Sequence, residues 1–168
     1  GLLAYEDLFP RMGDYDFNDV VLHYSMHEVT NAALNVSSIT GTLIFEASGA
    51  HLKNGFAISF GMTPQPLSWT VSASFSTLNS SFTTLDNGEL LFVIAEDVKT
   101  LFRNSPTGFV NTTTEQPHID GDTIVFELQF AEPVTLAVPP YNPFIFRTNG
   151  EELEIHLPFQ EPTYRFKT

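Results

Sequence analysis

Apolar and polar residues alternate with a period of two along most of this chain, in short runs separated by turn residues. Gly55-Phe56-Ala57-Ile58-Ser59-Phe60-Gly61 is the clearest run. In an extended chain successive side chains point to opposite faces, so each run offers one face to a core and one to water. Val20–His27, Leu67–Phe75, Leu90–Ala95, Thr123–Phe130, Val134–Val138, Phe144–Arg147 and Leu153–Leu157 read the same way. Leu34–Ala47 reads as one long strand or a strand pair, with Val36, Ile39, Leu43 and Phe45 as its apolar points. Asp86-Asn87-Gly88, Asp120-Gly121-Asp122 and Asn149-Gly150 supply the residues that tolerate positive φ in tight hairpins. Pro64-Gln65-Pro66 and Pro139-Pro140 interrupt the ladders and belong in loops or at edges, and the second pair admits a cis bond.

One segment departs from this period. Glu96-Asp97-Val98-Lys99-Thr100-Leu101-Phe102 begins acidic and spaces Val98, Leu101 and Phe102 as a helix does. The pattern therefore predicts an all-β fold: an antiparallel β-sandwich, jelly-roll-like, with one short helix. No linker and no repeat of solenoid length divides the chain, so residues 1–168 read as a single domain. With 42% hydrophobic residues and 16 Phe, the chain has the material for a proper core. No apolar run approaches the ~20 residues of a membrane-spanning helix. The chain opens on Gly1-Leu2-Leu3, which reads as the start of a trimmed or mature fragment.

The formal net charge is −13, from 20 acidic and 7 basic residues. That field repels a phosphate backbone, so nucleic acid is not an expected partner. Cysteine is absent, which excludes a disulfide framework and any thiolate metal site. N-x-S/T sequons stand at Asn35, Asn79 and Asn111; in a chain rich in Ser, Thr and Asn they read as chance.

The acidity is concentrated in Gly13-Asp14-Tyr15-Asp16-Phe17-Asn18-Asp19-Val20-Val21, with Glu6-Asp7 just upstream. Carboxylates this dense repel one another unless a cation or N–H donors neutralise them, and Ca²⁺ takes ~6–8 oxygen ligands. Asp14-x-Asp16-x-Asn18 has the opening spacing of an EF-hand loop. Counting from Asp14, however, Asp19 stands where that loop needs Gly, and Ser25 stands where it needs a bidentate Glu. The remaining expectation is a loop-to-strand calcium site. Asp14, Asp16, Asn18 and Asp19 would hold the ion and Glu6 and Asp7 would close the cage, while Tyr15 and Phe17 anchor the segment in the core. So many carboxylates around one ion leave excess negative charge, so two ions, or some residues acting behind the ligands, also fit. The competing structural reading makes Asp14 and Asn18 turn and cap residues bonded to backbone N–H groups.

Tyr5-Glu6-Asp7-Leu8-Phe9-Pro10 followed by Gly13–Val21 resembles the start of LruC-type domains. Asn54-Gly55-Phe56-Ala57-Ile58, Phe109-Val110-Asn111-Thr112, Asn142-Pro143-Phe144-Ile145, Glu154-Ile155-His156-Leu157-Pro158 and Pro162-Thr163 are similar to later segments of that family. Gly150-Glu151-Glu152 departs from it, standing where a basic turn is expected. The resemblance implies a β domain of an exported, cell-surface or outer-membrane-associated bacterial protein. It implies no catalytic activity.

Other candidates are weaker. His23 and His27 are four apart but lack the Glu of a metalloprotease helix, and in a strand they share one face. His156 reads as a structural donor to a carboxylate or carbonyl, and His51 and His118 show no partner in the sequence. No nucleophile elbow, phosphate loop or dinucleotide fingerprint is present. Trp69, Tyr141 and Tyr164 would make a sugar-stacking platform if exposed, with Tyr141 in Pro139-Pro140-Tyr141-Asn142-Pro143 the best placed; Trp69 otherwise packs between sheets. The expected function is a non-catalytic calcium-binding module for adhesion or ligand presentation to a glycan or protein at a surface. The alternatives are a glycan-binding module using the aromatic platform, or a hydrolase using a carboxylate pair.

Overall fold

The computed structural model describes residues 1–147, 153–163 and 165. Ten strands follow one another: β1 Leu2–Tyr5, β2 Val20–Thr30, β3 Val36–Ala47, β4 Gly55–Met62, β5 Ser68–Ala73, β6 Ser81–Thr84, β7 Glu89–Ala95, β8 Thr123–Val134, β9 Asn142–Arg147 and β10 Leu153–His156. They form two five-stranded antiparallel sheets, in the orders β1-β2-β3-β8-β5 and β10-β9-β4-β7-β6. The chain crosses between sheets repeatedly, at β3–β4, β4–β5, β5–β6, β7–β8 and β8–β9, the habit of the jelly-roll-like sandwich that was expected.

The first sheet has one dry face and one wet face. Ile39, Leu43 and Phe45 of β3 and Ile124, Phe126 and Leu128 of β8 point inward and are buried. Their alternates form a polar surface in which His27, Thr40, Glu127 and Thr70 stand side by side in register. The central strands β4, β7 and β9 of the second sheet are covered on both faces. Phe56, Ile58, Leu90, Phe92 and Ile94 face the main core, while Ala57, Leu91, Val93, Phe144 and Phe146 form a separate buried cluster. Phenylalanine rings join the sheets edge to face. Phe45 meets Phe56 at 5.7 Å and Phe126 meets Phe92 at 5.1 Å. Such contacts add ~0.5–1.5 kcal/mol to the burial of each ring.

Three expectations are corrected. Val134–Val138 is not a separate strand: β8 runs unbroken to Val134. Between the pairs Ser38–Gln129 and Val36–Val134 its register shifts, and Ala131, Glu132 and Pro133 fall in the resulting bulge. A proline there loses no ladder bond. The short helix is a single 3₁₀ turn, Val98–Leu101, capped by Asp97, whose carboxylate accepts from the Lys99 N–H at 3.0 Å. Asp120-Gly121-Asp122 is not a hairpin turn. Gly121 bridges to Phe102, and a Cβ on it would lie 1.8 Å from the Phe45 carbonyl oxygen. Glycine is needed here for close approach of backbone, not for positive φ. The turn at Asp86-Asn87-Gly88 is as expected, closed by Leu85 and Glu89. The turn at Asn149-Gly150 and the departure at Gly150-Glu151-Glu152 lie outside the described residues. Phe9-Pro10 and Pro139-Pro140 are cis. No helix among the described residues is long and apolar enough to cross a membrane.

Candidate metal centre

Strand pairing assembles the centre. Tyr5, the last residue of β1, pairs with Val20, the first of β2. Glu6 and Asp7 therefore leave the sheet beside Asp19, whose N–H donates to the Tyr5 carbonyl at 3.2 Å. The Asp7 N–H in turn donates to Asp19 Oδ2 at 2.7 Å. The intervening loop coils back over this corner. Tyr15 and Phe17 adopt left-handed backbone with φ of 57° and 52°, a conformation that costs ~1–3 kcal/mol outside glycine. The coil brings Asp14 and Asp16 to Glu6. Gly13 lies so close that a Cβ on it would meet Glu6 Oε1 at 2.3 Å.

The expected core anchoring by Tyr15 and Phe17 is not found, since both rings are half exposed. The loop is held instead by backbone: Asn18 accepts from the Gly49 N–H at 2.9 Å. Asn18 donates its amide to Asp16 Oδ2.

Two groups of carboxylates result, Glu6–Asp7–Asp19 and Glu6–Asp14–Asp16, and Glu6 belongs to both. Within each group one oxygen per residue lies within 4.8 Å of the others, about the distance between two oxygens on one calcium ion. The first group is buried, and Asp14 and Asp16 are exposed. Glu6 is 2% exposed, and its Oε2 has no hydrogen-bond partner among the described residues. Burial, then the like charges of Asp14, Asp16 and Asp7, hold its carboxyl above the ordinary range. Asp19 is pushed up to about 7, chiefly by burial, with further increments from Asp7, Glu6 and Asp16; the Asp7 N–H opposes the shift. Asn54, at the start of β4, was not singled out as a site residue. Its Nδ2 donates to Asp7 Oδ2 at 2.9 Å and its buried Oδ1 has no partner among the described residues. The only local signal for it was Asn54-Gly55-Phe56.

A cavity of about 450 Å³ adjoins the centre along the open edge between β1 and β10, with Glu6, Phe9 and Phe17 on one side and His156, Leu157 and Phe159 on the other. Glu154 also lines it. The Glu154 carboxylate accepts from the Thr163 N–H at 2.7 Å and from the Thr163 hydroxyl at 2.5 Å, and lies 3.1 Å from His156 Nε2. Although burial opposes it, these bonds and the His156 charge together hold its carboxyl below the usual range. His156 Nδ1 reaches Asn142 Oδ1 at 2.7 Å, and the ring stacks on Phe144 at 4.5 Å. His156 thus lies between a side-chain carbonyl and a carboxylate, the kinds of partner expected for it.

Trp69 and Tyr141 do not form an aromatic platform. Tyr141 is 2% exposed, packs on Phe60 and donates its hydroxyl to Glu28 Oε1 at 2.8 Å. Its exposure in the proline loop was misjudged, because Glu28 lies 113 residues earlier in the chain. Trp69 is 41% exposed and leans on Phe82 at 5.1 Å, closing the sandwich edge between β5 and β6. Tyr164 lies outside the described residues. His23 and His27 are exposed on the wet face of β2, as their spacing implied. His51 packs on Phe109, and His118 lies 4.0 Å from Asp120. Asn111 is a structural residue: its amide binds the Glu46 and Ile119 carbonyls, and its oxygen accepts from the Ile119 N–H.

The fold and the corner together define an antiparallel β-sandwich domain carrying a cluster of oxygen donors at the β1–β2 turn. The chain belongs to the DUF4842 family, a domain of unknown function, whose model matches residues 35–168. No curated protein and no solved structure matches it. The match includes Asn54 and begins after Glu6, Asp7, Asp14, Asp16 and Asp19.

Proposed function

We propose that this domain is a non-catalytic calcium-binding module of an exported bacterial surface protein, of the LruC type, presenting a ligand-binding or adhesive surface. One observation carries the calcium reading. Glu6, Asp7 and Asp19 are buried together, and Glu6 Oε2 has no protein donor among the described residues. A buried carboxylate without a donor or a cation loses several kcal/mol of solvation. The donors are all oxygen, which favours a hard cation over zinc or copper. The ion would tie the β1–β2 loop to β4 through Asp7 and Asn54. It would stabilise the fold by mass action, since the unfolded chain cannot gather these ligands.

The surface placement is supported by the resemblance of the Tyr5–Pro10 and Gly13–Val21 segments to LruC-type domains. The non-catalytic reading is supported by Glu154. Glu6 and Glu154 line the same cavity, but Glu154 is committed to Thr163 and His156 and is poorly placed to act as a base or nucleophile.

Thermal unfolding in EDTA, then in millimolar Ca²⁺, then in Mg²⁺, tests the reading. The expected result is a calcium-specific rise of roughly 5–10 °C. Equal melting temperatures in all three would overturn it.

A further inference from the structure

Resting on the calcium reading, we propose that the corner is a two-cation centre bridged by Glu6. The inner ion sits among Glu6, Asp7, Asp19 and the Asn54 side-chain oxygen; the outer ion sits among Glu6, Asp14 and Asp16.

The shared residue is the first ground. Glu6 stands in both carboxylate groups, and a carboxylate has one oxygen for each of two ions. Gly13 permits this, because any side chain there would strike Glu6 Oε1. The second ground is the pair of buried atoms without partners among the described residues. Glu6 Oε2 and Asn54 Oδ1 belong to side chains 2% and 1% exposed, and Asn54 is fastened to Asp7 by its other amide atom. Two buried, unpartnered acceptors, one in the carboxylate group that includes Asp7 and one on the residue bonded to Asp7, call for an electrophile and not for another acceptor. Charge is the third ground. Five carboxylates surround the corner, and one divalent ion leaves three of their charges unmatched while two ions leave one. Burial then sets the order of filling. The inner group is dry and already linked to β4, so it binds first and tightly. The outer group is open to water, takes water into its coordination shell and binds more weakly.

Calorimetric titration of the metal-free chain with CaCl₂ tests this. The expected isotherm has two steps of unequal affinity and a total of two ions per chain. The double variant Asp14→Asn/Asp16→Asn, changed only at exposed positions, should lose the weak step and keep the tight one. Asn54→Ala should weaken the tight step by about tenfold or more. A stoichiometry of one in the unaltered chain, or two unchanged steps in the double variant, would refute the bridge while leaving calcium binding intact. No heat together with no thermal shift would remove the calcium reading itself.

Discussion

Asp122 and Glu6 are both buried carboxylates, and they are finished in opposite ways. Asp122 is 0% exposed. Its Oδ1 accepts from the Ser74 N–H at 2.6 Å and the Phe75 N–H at 3.4 Å, and its Oδ2 accepts from the Ser76 N–H at 2.8 Å. Glu6 Oε2 has no partner among the described residues, and the carboxylate faces the like charges of Asp14, Asp16 and Asp7. One carboxylate organises a turn of backbone and is complete within the chain. The other is surrounded by its own kind and needs something from solution. Burial of an acid is therefore no guide to its role until its neighbours are sorted into donors and acceptors.

The largest effect expected from this contrast is at Asp122. Replacing it by Ala strips the acceptor from three backbone N–H groups and should cost about 3 kcal/mol or more. Denaturant midpoints should fall equally in EDTA and in calcium; rescue by calcium would break the contrast. Glu6→Gln is next. In EDTA it should be neutral or stabilising, because it removes a like charge. In saturating calcium it should forfeit about 2–3 kcal/mol of ion-dependent stability, read as a lost difference between the two melting curves.

The smallest effect is in pH. Burial pushes the folded Asp19 carboxyl up to about 7, against roughly 3.9 in an unfolded chain. The folded state thus holds a proton that the unfolded state has released. This contribution is fully present below about pH 4 and is lost as pH rises through 7. In EDTA the protein should therefore gain stability between pH 8 and 6, and calcium should flatten or reverse that slope. Glu154 acts oppositely, since its depressed carboxyl contributes stability that is lost as pH falls through its folded value. A flat profile from pH 8 to 6 in EDTA would show that the folded Asp19 carboxyl stays ionised throughout that range and is not raised.

What could be read from the chain was what lies close together in it. Glu6, Asp7, Asp14, Asp16 and Asp19 fall within fourteen residues, and a single strand pairing brings them together. Asn54 reaches Asp7 across 47 residues, and the donors to Asp122 lie 46 to 48 residues away. No local pattern announces either. The interior strands were visible through alternation, but β1 and β6 were not. β1 is apolar almost throughout and β6 has the single apolar residue Phe82, so neither alternates, whereas the equally short β10 does through Leu153 and Ile155. Leu90–Ala95 does not alternate as expected of it. Its unbroken apolar run is the mark of a strand covered on both sides, as β7 is.

That double cover bears on time as well as on stability. β4 and β7 hold paired amides with protein on either face, whereas β2, β3 and β8 present their alternate residues to water. Water must pass through a packed layer to reach the first pair, so their amide protons should be among the last to exchange and should report the opening of the whole sandwich. The corner at Glu6 hangs from an edge strand of the other sheet. It can open and refill many times while that slow clock does not advance.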